Sequence, residues 1–156
     1  MKKRAAKQAL GMVDTSPKPI TKRAATASAR IRFSAAAFRK FLEGGSPKGN
    51  VLETAKVAGI MAAKATPSLI PLCHPLELNK VNLSFEIQKQ NSLVIITAEV
   101  NCMGRTGVEM EALTAASVAA LTIYDMMKWA DKTIVIEEVK LLAKSGGASG
   151  AFFLKQ

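Results

Sequence analysis

Val81-Asn82-Leu83-Ser84-Phe85-Glu86-Ile87-Gln88 decides the fold. Apolar and polar residues alternate strictly through it, the period of a strand with one face buried and one wet. Gln90-Asn91 turns the chain, and residues 93–100 read as the hairpin partner. Working outward, residues 29–33 suit a short strand. Ser34 caps a short helix over 35–43, stopped by Gly44-Gly45. Ser46-Pro47-Lys48-Gly49 is a turn, and Asn50 caps a second helix over about 51–65, ended by Thr66-Pro67. Residues 67–75 hold three prolines and read as a stiff loop. A long helix is expected over about 107–130 and a last strand over about 134–142, followed by a mobile, glycine-rich end with Gly146, Gly147 and Gly150. The order β-α-α-β-β-α-β predicts an α+β sandwich, ferredoxin-like in kind, with helices on one face of a mainly antiparallel sheet. The other face must be solvated or covered by another subunit.

The chain has 156 residues, 49% of them apolar, a globular composition of one-domain length. The longest uncharged run is far shorter than the roughly 20 residues a bilayer crossing needs, so no membrane span is expected. Lys2, Lys3, Arg4 and Lys7 make a basic start without an apolar segment behind them, which excludes a secretory signal. Residues 1–11 read as a flexible basic extension, with a short mitochondrial-type leader as the alternative, and residues 12–156 as a single catalytic domain. The net charge is +10, and most of it lies on the body. Such a balance suits a polyanionic ligand: a nucleotide, a nucleic acid or an acidic surface. Cys73 and Cys102, the only cysteines, read as reduced thiols of a cytoplasmic protein.

Three places hold residues with chemistry. In Ile70-Pro71-Leu72-Cys73-His74-Pro75-Leu76 the only histidine sits among apolar residues, kept extended by the following proline. A Cys73–His74 dyad is disfavoured because neighbours on extended backbone point to opposite faces. A zinc site is disfavoured because the ligand spacing is absent. In Gly104-Arg105-Thr106-Gly107-Val108-Glu109-Met110-Glu111, Thr106 and Glu109 match a capping box, which is a structural explanation for Glu109. Glu111 lies in the first helical turn and suits hydrogen-bond acceptance from the N–H groups of a substrate. Asp125 and Lys128 share a helical face amid apolar residues, where partial burial would shift their pKa values. Glu111 and Asp125 fall within roughly 40° of one face but ~21 Å apart along a helix. If both are catalytic, a neighbouring subunit must supply one of them. Arg23, Lys48, Lys64 and Lys144 are candidates for phosphate contact, each also readable as solvated surface.

Together these blocks resemble the cyclic pyranopterin monophosphate synthase family, the accessory protein C of molybdenum cofactor biosynthesis. The match runs over residues 12–150. It is carried by Lys48-Gly49-Asn50-Val51-Leu52, the Ala55 to Lys64 stretch, the His74 loop, the run from Thr106 through Asp125, and Leu141-Leu142-Ala143-Lys144-Ser145-Gly146-Gly147. The resemblance implies a ferredoxin-like subunit in a homohexamer, a trimer of dimers with sites at subunit interfaces. It implies conversion of (8S)-3′,8-cyclo-7,8-dihydroguanosine 5′-triphosphate to cyclic pyranopterin monophosphate, with release of diphosphate. It places Leu72, Cys73, His74, Met110 and Glu111 at the substrate and Asp125 at the catalytic step. Lys48, Lys64, Glu109, Lys128 and Lys144 match further active-site positions. No tightly bound cofactor is implied, although Mg²⁺ can travel with the phosphates. Asn50 stands where Asp is common, Arg105 where Lys is common, and Ala148 where a Lys is often found. The last change leaves Lys144 to carry more of any phosphate contact. The competing class is a basic nucleic-acid-binding module. It needs exposed strand aromatics for base stacking, and aromatics are only 5% here.

Overall fold

The structure is a computed structural model and describes residues 10–155. In chain order it contains β1 (Thr21–Arg32), α1 (Ala35–Leu42), α2 (Val51–Leu69), β2 (Leu78–Gln88), β3 (Leu93–Gly104), α3 (Glu109–Met127), β4 (Val135–Ser145) and β5 (Phe152–Phe153). The strands form one antiparallel sheet in the order β2-β3-β1-β4-β5. The first four strands with their crossover helices are the ferredoxin-like arrangement. The basic extension expected over residues 1–11 falls outside the described residues except for Leu10 and Gly11.

The quoted alternation works as expected. Val81 pairs with Val100, Leu83 with Ala98, Phe85 with Ile96 and Ile87 with Val94. These pairs face the helices, and Leu83, Val94, Ile96, Ala98 and Val100 are almost fully buried. α3 packs over β1, β3 and β4, while α2 packs against α3 and over β2. Both expected caps form. The Ser34 side chain accepts from the Ala37 N–H, and Asn50 Oδ1 accepts from the Glu53 N–H at 3.1 Å. Asn50 thus satisfies one of the free N–H groups in the first turn of α2.

The layer between α2, α3 and the sheet is built from small residues. Ala25, Ala27 and Ala29 of β1, Ala55 and Ala63 of α2, and Ala112, Ala115, Ala116, Ala119 and Ala120 of α3 are all buried. Gly59 of α2 sits at the tightest point. A Cβ there would lie 2.5 Å from Leu83 Cδ2 and 3.0 Å from the Ala115 carbonyl oxygen. A second cluster stacks Phe33, Phe38 and Phe41, with ring centroids 5.3–5.8 Å apart, and fastens α1 to the end of β1.

Four boundaries differ from expectation. β1 begins at Thr21, eight residues before the expected 29, because its inward residues are alanines rather than the β-branched residues that announce a strand. α2 continues through Pro67 to Leu69. The Thr66 hydroxyl donates to the Ala62 carbonyl at 3.1 Å, the back-bond that bends a helix, and the missing Pro67 N–H falls in the last turn, where it costs a single bond. β4 runs on to Ser145, which puts Lys144 on a strand. The expected mobile end instead turns at Gly150 and returns as β5, with Phe152 opposite Lys144 and the Leu154 N–H bonded to the Leu142 carbonyl at 2.8 Å.

Candidate active site

α3 carries a chemical cluster at each end. At its N-terminal end, Leu72, Cys73 and His74 from the proline-rich loop meet Glu109, Met110 and Glu111 around a cleft of about 270 Å³. The loop turns at Cys73, whose N–H bonds the Ile70 carbonyl at 3.1 Å. Cys73 and His74 therefore border the same cleft, contrary to the opposite-face expectation for extended backbone. The pair is still no nucleophilic dyad. Burial pushes the Cys73 thiol up, with the Glu111 charge adding to it, so the thiolate is scarce.

The capping box is not formed. α3 starts at Glu109 with Val108 at the cap position and no side-chain cap bond. The Glu109 carboxylate instead folds back over Gly107, where its Oε2 lies 1.9 Å from the place a Cβ would take. Glu109 thus lines the cleft, and its structural explanation falls away. Glu111 is 3% exposed. Burial raises its pKa, and the neighbouring Glu109 charge raises it further, against a lowering backbone hydrogen bond. No side chain among the described residues hydrogen-bonds to Glu111. It is a desolvated acceptor facing the cleft, an arrangement that rewards a ligand donating N–H groups.

A larger cleft of about 570 Å³ adjoins the first and shares Thr106, Gly107 and Glu109 with it. Lys18, Arg23, Arg105 and Lys144 surround it, closed by the Gly146-Gly147 turn. Four cations around one cleft suit a polyphosphate. Besides lining the cleft, Arg23 braces the chain around it. It is 8% exposed, and its Nε and Nη2 donate to the Gly104 and Arg105 carbonyls at 3.2 and 3.0 Å. Gly147, at φ +77°, leaves the room its guanidinium fills. Lys144 Nζ donates to Ser149 Oγ. Lys18 and Arg105 were not among the candidate residues. Nothing in the sequence ties positions so far apart.

At the C-terminal end of α3, Asp125 holds two lysines. Lys48 Nζ, from the turn before α2, lies 2.6 Å from Oδ2, and Lys128 Nζ lies 2.7 Å from Oδ1. These hydrogen bonds, with Lys128 first and Lys48 second, hold the Asp125 pKa down to about 2, and Asp125 in turn raises that of Lys128. Partial burial was expected to shift this pair. The side chains are instead about half exposed, and the bonds do the shifting.

The fold therefore brings together His74, Cys73, Leu72, Met110, Glu109, Glu111 and, next door, Lys144. Separately, it brings together Lys48, Asp125 and Lys128. Within one chain the two groups lie ~21 Å apart along α3. Lys64 joins neither. It is exposed on α2 and lines a third cleft of about 420 Å³ that meets the His74 cleft at Leu76. Among the described residues, no three His, Cys, Asp or Glu side chains are grouped so as to hold a metal ion, and no helix is long and apolar enough to cross a membrane.

Comparison with known proteins adds a second line. A protein from Herpetosiphon aurantiacus is 55% identical over 141 residues, 90% of this chain and 86% of its own length. One from Magnetococcus marinus is 54% identical over the same shares. One from Parvibaculum lavamentivorans is 49% identical over 149 residues, 96% of this chain and 93% of its own length. Each is named cyclic pyranopterin monophosphate synthase. The model of the MoaC family matches residues 12–147, a span that takes in both ends of α3 and all the charged residues just described, and the chain belongs to that family.

Proposed function

We propose that this chain is an enzyme of molybdenum cofactor biosynthesis that converts (8S)-3′,8-cyclo-7,8-dihydroguanosine 5′-triphosphate to cyclic pyranopterin monophosphate and diphosphate. The observation that carries the reading is the Lys48–Asp125–Lys128 triad, found in a chain about half identical to proteins of that name. The purine-derived ring, rich in N–H donors, lies against His74, Met110 and the acceptors Glu109 and Glu111. Leu72 and Cys73 complete that wall. The triphosphate extends toward Lys144 and its neighbours, with Lys64 at the flank. Closing the cyclic phosphate requires a ribose-derived hydroxyl oxygen to attack the α-phosphorus. The bond to the bridging oxygen of the β-phosphate breaks, and diphosphate leaves with its charge met by lysines.

Asp125 and Lys128 move the protons. In the free protein Asp125 is too weak a base for that work, being held near pKa 2 by its two lysines. Phosphate oxygens that draw Lys48 away return the carboxylate toward its ordinary basicity. Substrate binding then switches the base on. Two protomers pool their clusters in each pocket, and the assembly is a homohexamer built as a trimer of dimers. Mg²⁺ that accompanies the triphosphate is held by the phosphate oxygens. A cytoplasmic location fits the two free thiols.

The test is turnover of the cyclic dihydroguanosine triphosphate, followed by diphosphate release and by chromatography of the pterin. Asp125→Asn and Lys128→Ala lose turnover by about 10²-fold or more while eluting at the wild-type size. Wild-type turnover in either variant removes the assignment, and a wild-type protein that releases no diphosphate removes the function.

A further inference from the structure

Residues 14–19 precede β1 and lie across the larger cleft, to which Lys18 and Pro19 contribute wall. This segment buries almost nothing: Thr15 is half-buried and the rest are exposed. Its internal bonds are local, Ser16 N–H to Asp14 Oδ1 at 2.9 Å and Lys18 N–H to the Thr15 carbonyl at 3.0 Å. Among the described residues one side chain ties it to the rest of the chain. Arg105 Nη1 donates to the Ser16 carbonyl at 2.8 Å and also to the Lys18 carbonyl. Arg105 is itself braced from below, because its carbonyl accepts from Arg23 Nη2 at 3.0 Å. The tie runs from a buried arginine, through an exposed one, to an otherwise loose strap.

We infer that Arg105 is a positioning residue for the substrate pocket: it holds residues 15–19 as a strap along the polyphosphate cleft and so keeps Lys18 in the wall. The site and substrate class rest on the function proposed above. At the start of the strap the Asp14 carboxyl is held below its ordinary pKa chiefly by hydrogen bonds from Ser16. A planar guanidinium reaches two carbonyls at once, whereas a lysine ammonium is compact but still carries three donors. Lysine at position 105 should therefore hold the strap in part.

The experiment compares wild type with Arg105→Ala and Arg105→Lys. It measures amide hydrogen exchange over residues 14–20, with and without inorganic tripolyphosphate, and kcat and KM for diphosphate release. Arg105→Ala is expected to speed exchange in the strap about tenfold or more. It should raise KM by about tenfold with kcat within a factor of about three, because a strap acts on binding. Arg105→Lys should recover part of both, and tripolyphosphate should protect the strap in wild type but not in Arg105→Ala. A raised KM with unchanged strap exchange overturns the inference, since Arg105 would then act on substrate directly. Faster exchange with unchanged KM, or a loss confined to kcat, overturns it too. If wild type shows no turnover, the proposed function fails, while the tripolyphosphate arm still decides on the strap. Should Arg105→Ala not fold, Arg105→Lys and Lys18→Ala carry the test, the latter raising KM without loosening the strap.

Discussion

Glu111 and Asp125 carry the same functional group in opposite surroundings, and their pKa values move in opposite directions. Asp125 is bonded to two ammonium groups and falls to about 2. Its contribution to stability is present above its ordinary value of 3.8 and is lost as pH falls through the folded value. Glu111 is desolvated and rises from its ordinary 4.5. The folded protein therefore binds the Glu111 proton more tightly than the unfolded chain does. Stability falls as pH rises from about 4.5 through the folded pKa and stays reduced above it. Glu111→Gln removes that penalty. Its melting temperature should exceed wild type at pH 7–8 and converge with it near pH 4.5, while kcat/KM drops by about tenfold or more through the lost charged acceptor. Calorimetry across that pH range, beside kinetics, checks both halves. A variant less stable than wild type at pH 8 would contradict the account of Glu111 as a strained acceptor.

At the scale of elements, the α2–α3 seam is where close approach replaces side-chain bulk. Gly59 sits where a methyl group meets Leu83 and the Ala115 carbonyl oxygen. Helix propensity favours alanine over glycine by about 1 kcal/mol, but overpacking costs about 1–3 kcal/mol. Gly59→Ala should therefore lower stability by up to about 2 kcal/mol, or up to roughly 4–8 °C in melting temperature. An unchanged or higher melting temperature would show that the seam is loose. The same seam explains what the sequence could and could not say. The β2–β3 hairpin was legible because one face is apolar and the other wet, and α3 because its uncharged run is too long for a strand. The first eight residues of β1 were not, because the inward-facing Ala25 and Ala27 carry no strand signature and instead let α3 sit close. The turn of α2 beyond Pro67 was hidden because a buried hydroxyl, Thr66, decides it. Of the candidate site, the residues of the His74 cleft and of the Asp125 cluster could be named, but Lys18 and Arg105 of the larger cleft could not. The joining of Lys48 to Asp125, the folding of Glu109 over Gly107 and the clasp of Arg105 on the strap depend on contacts between distant parts of the chain.

For the whole molecule, the proposed function makes assembly part of the chemistry, because the charged groups are divided between the ends of α3. If each pocket takes Glu111 from one protomer and Asp125 from its neighbour, two impaired variants can repair each other. Subunits carrying Glu111→Gln and subunits carrying Asp125→Asn, unfolded together in equal amounts and refolded, should regain about a quarter of wild-type turnover. Half of the random pairs are mixed, and each mixed pair has one intact pocket. Turnover no greater than the sum of the two variants alone would place a complete pocket within one chain.

Between Ala112 and Ala120 α3 is held on its inner side by alanines with no rotamers to adjust, so it behaves as a yardstick of fixed length and phase. Substitutions along it can drift as long as they stay small. One added or deleted residue between positions 111 and 125 would rotate one end by about 100° against the other and shift it by about 1.5 Å. In the symmetric pair proposed above that error would recur in both pockets at once, so the interval of fourteen residues constrains such a site more tightly than the identity of most residues within it.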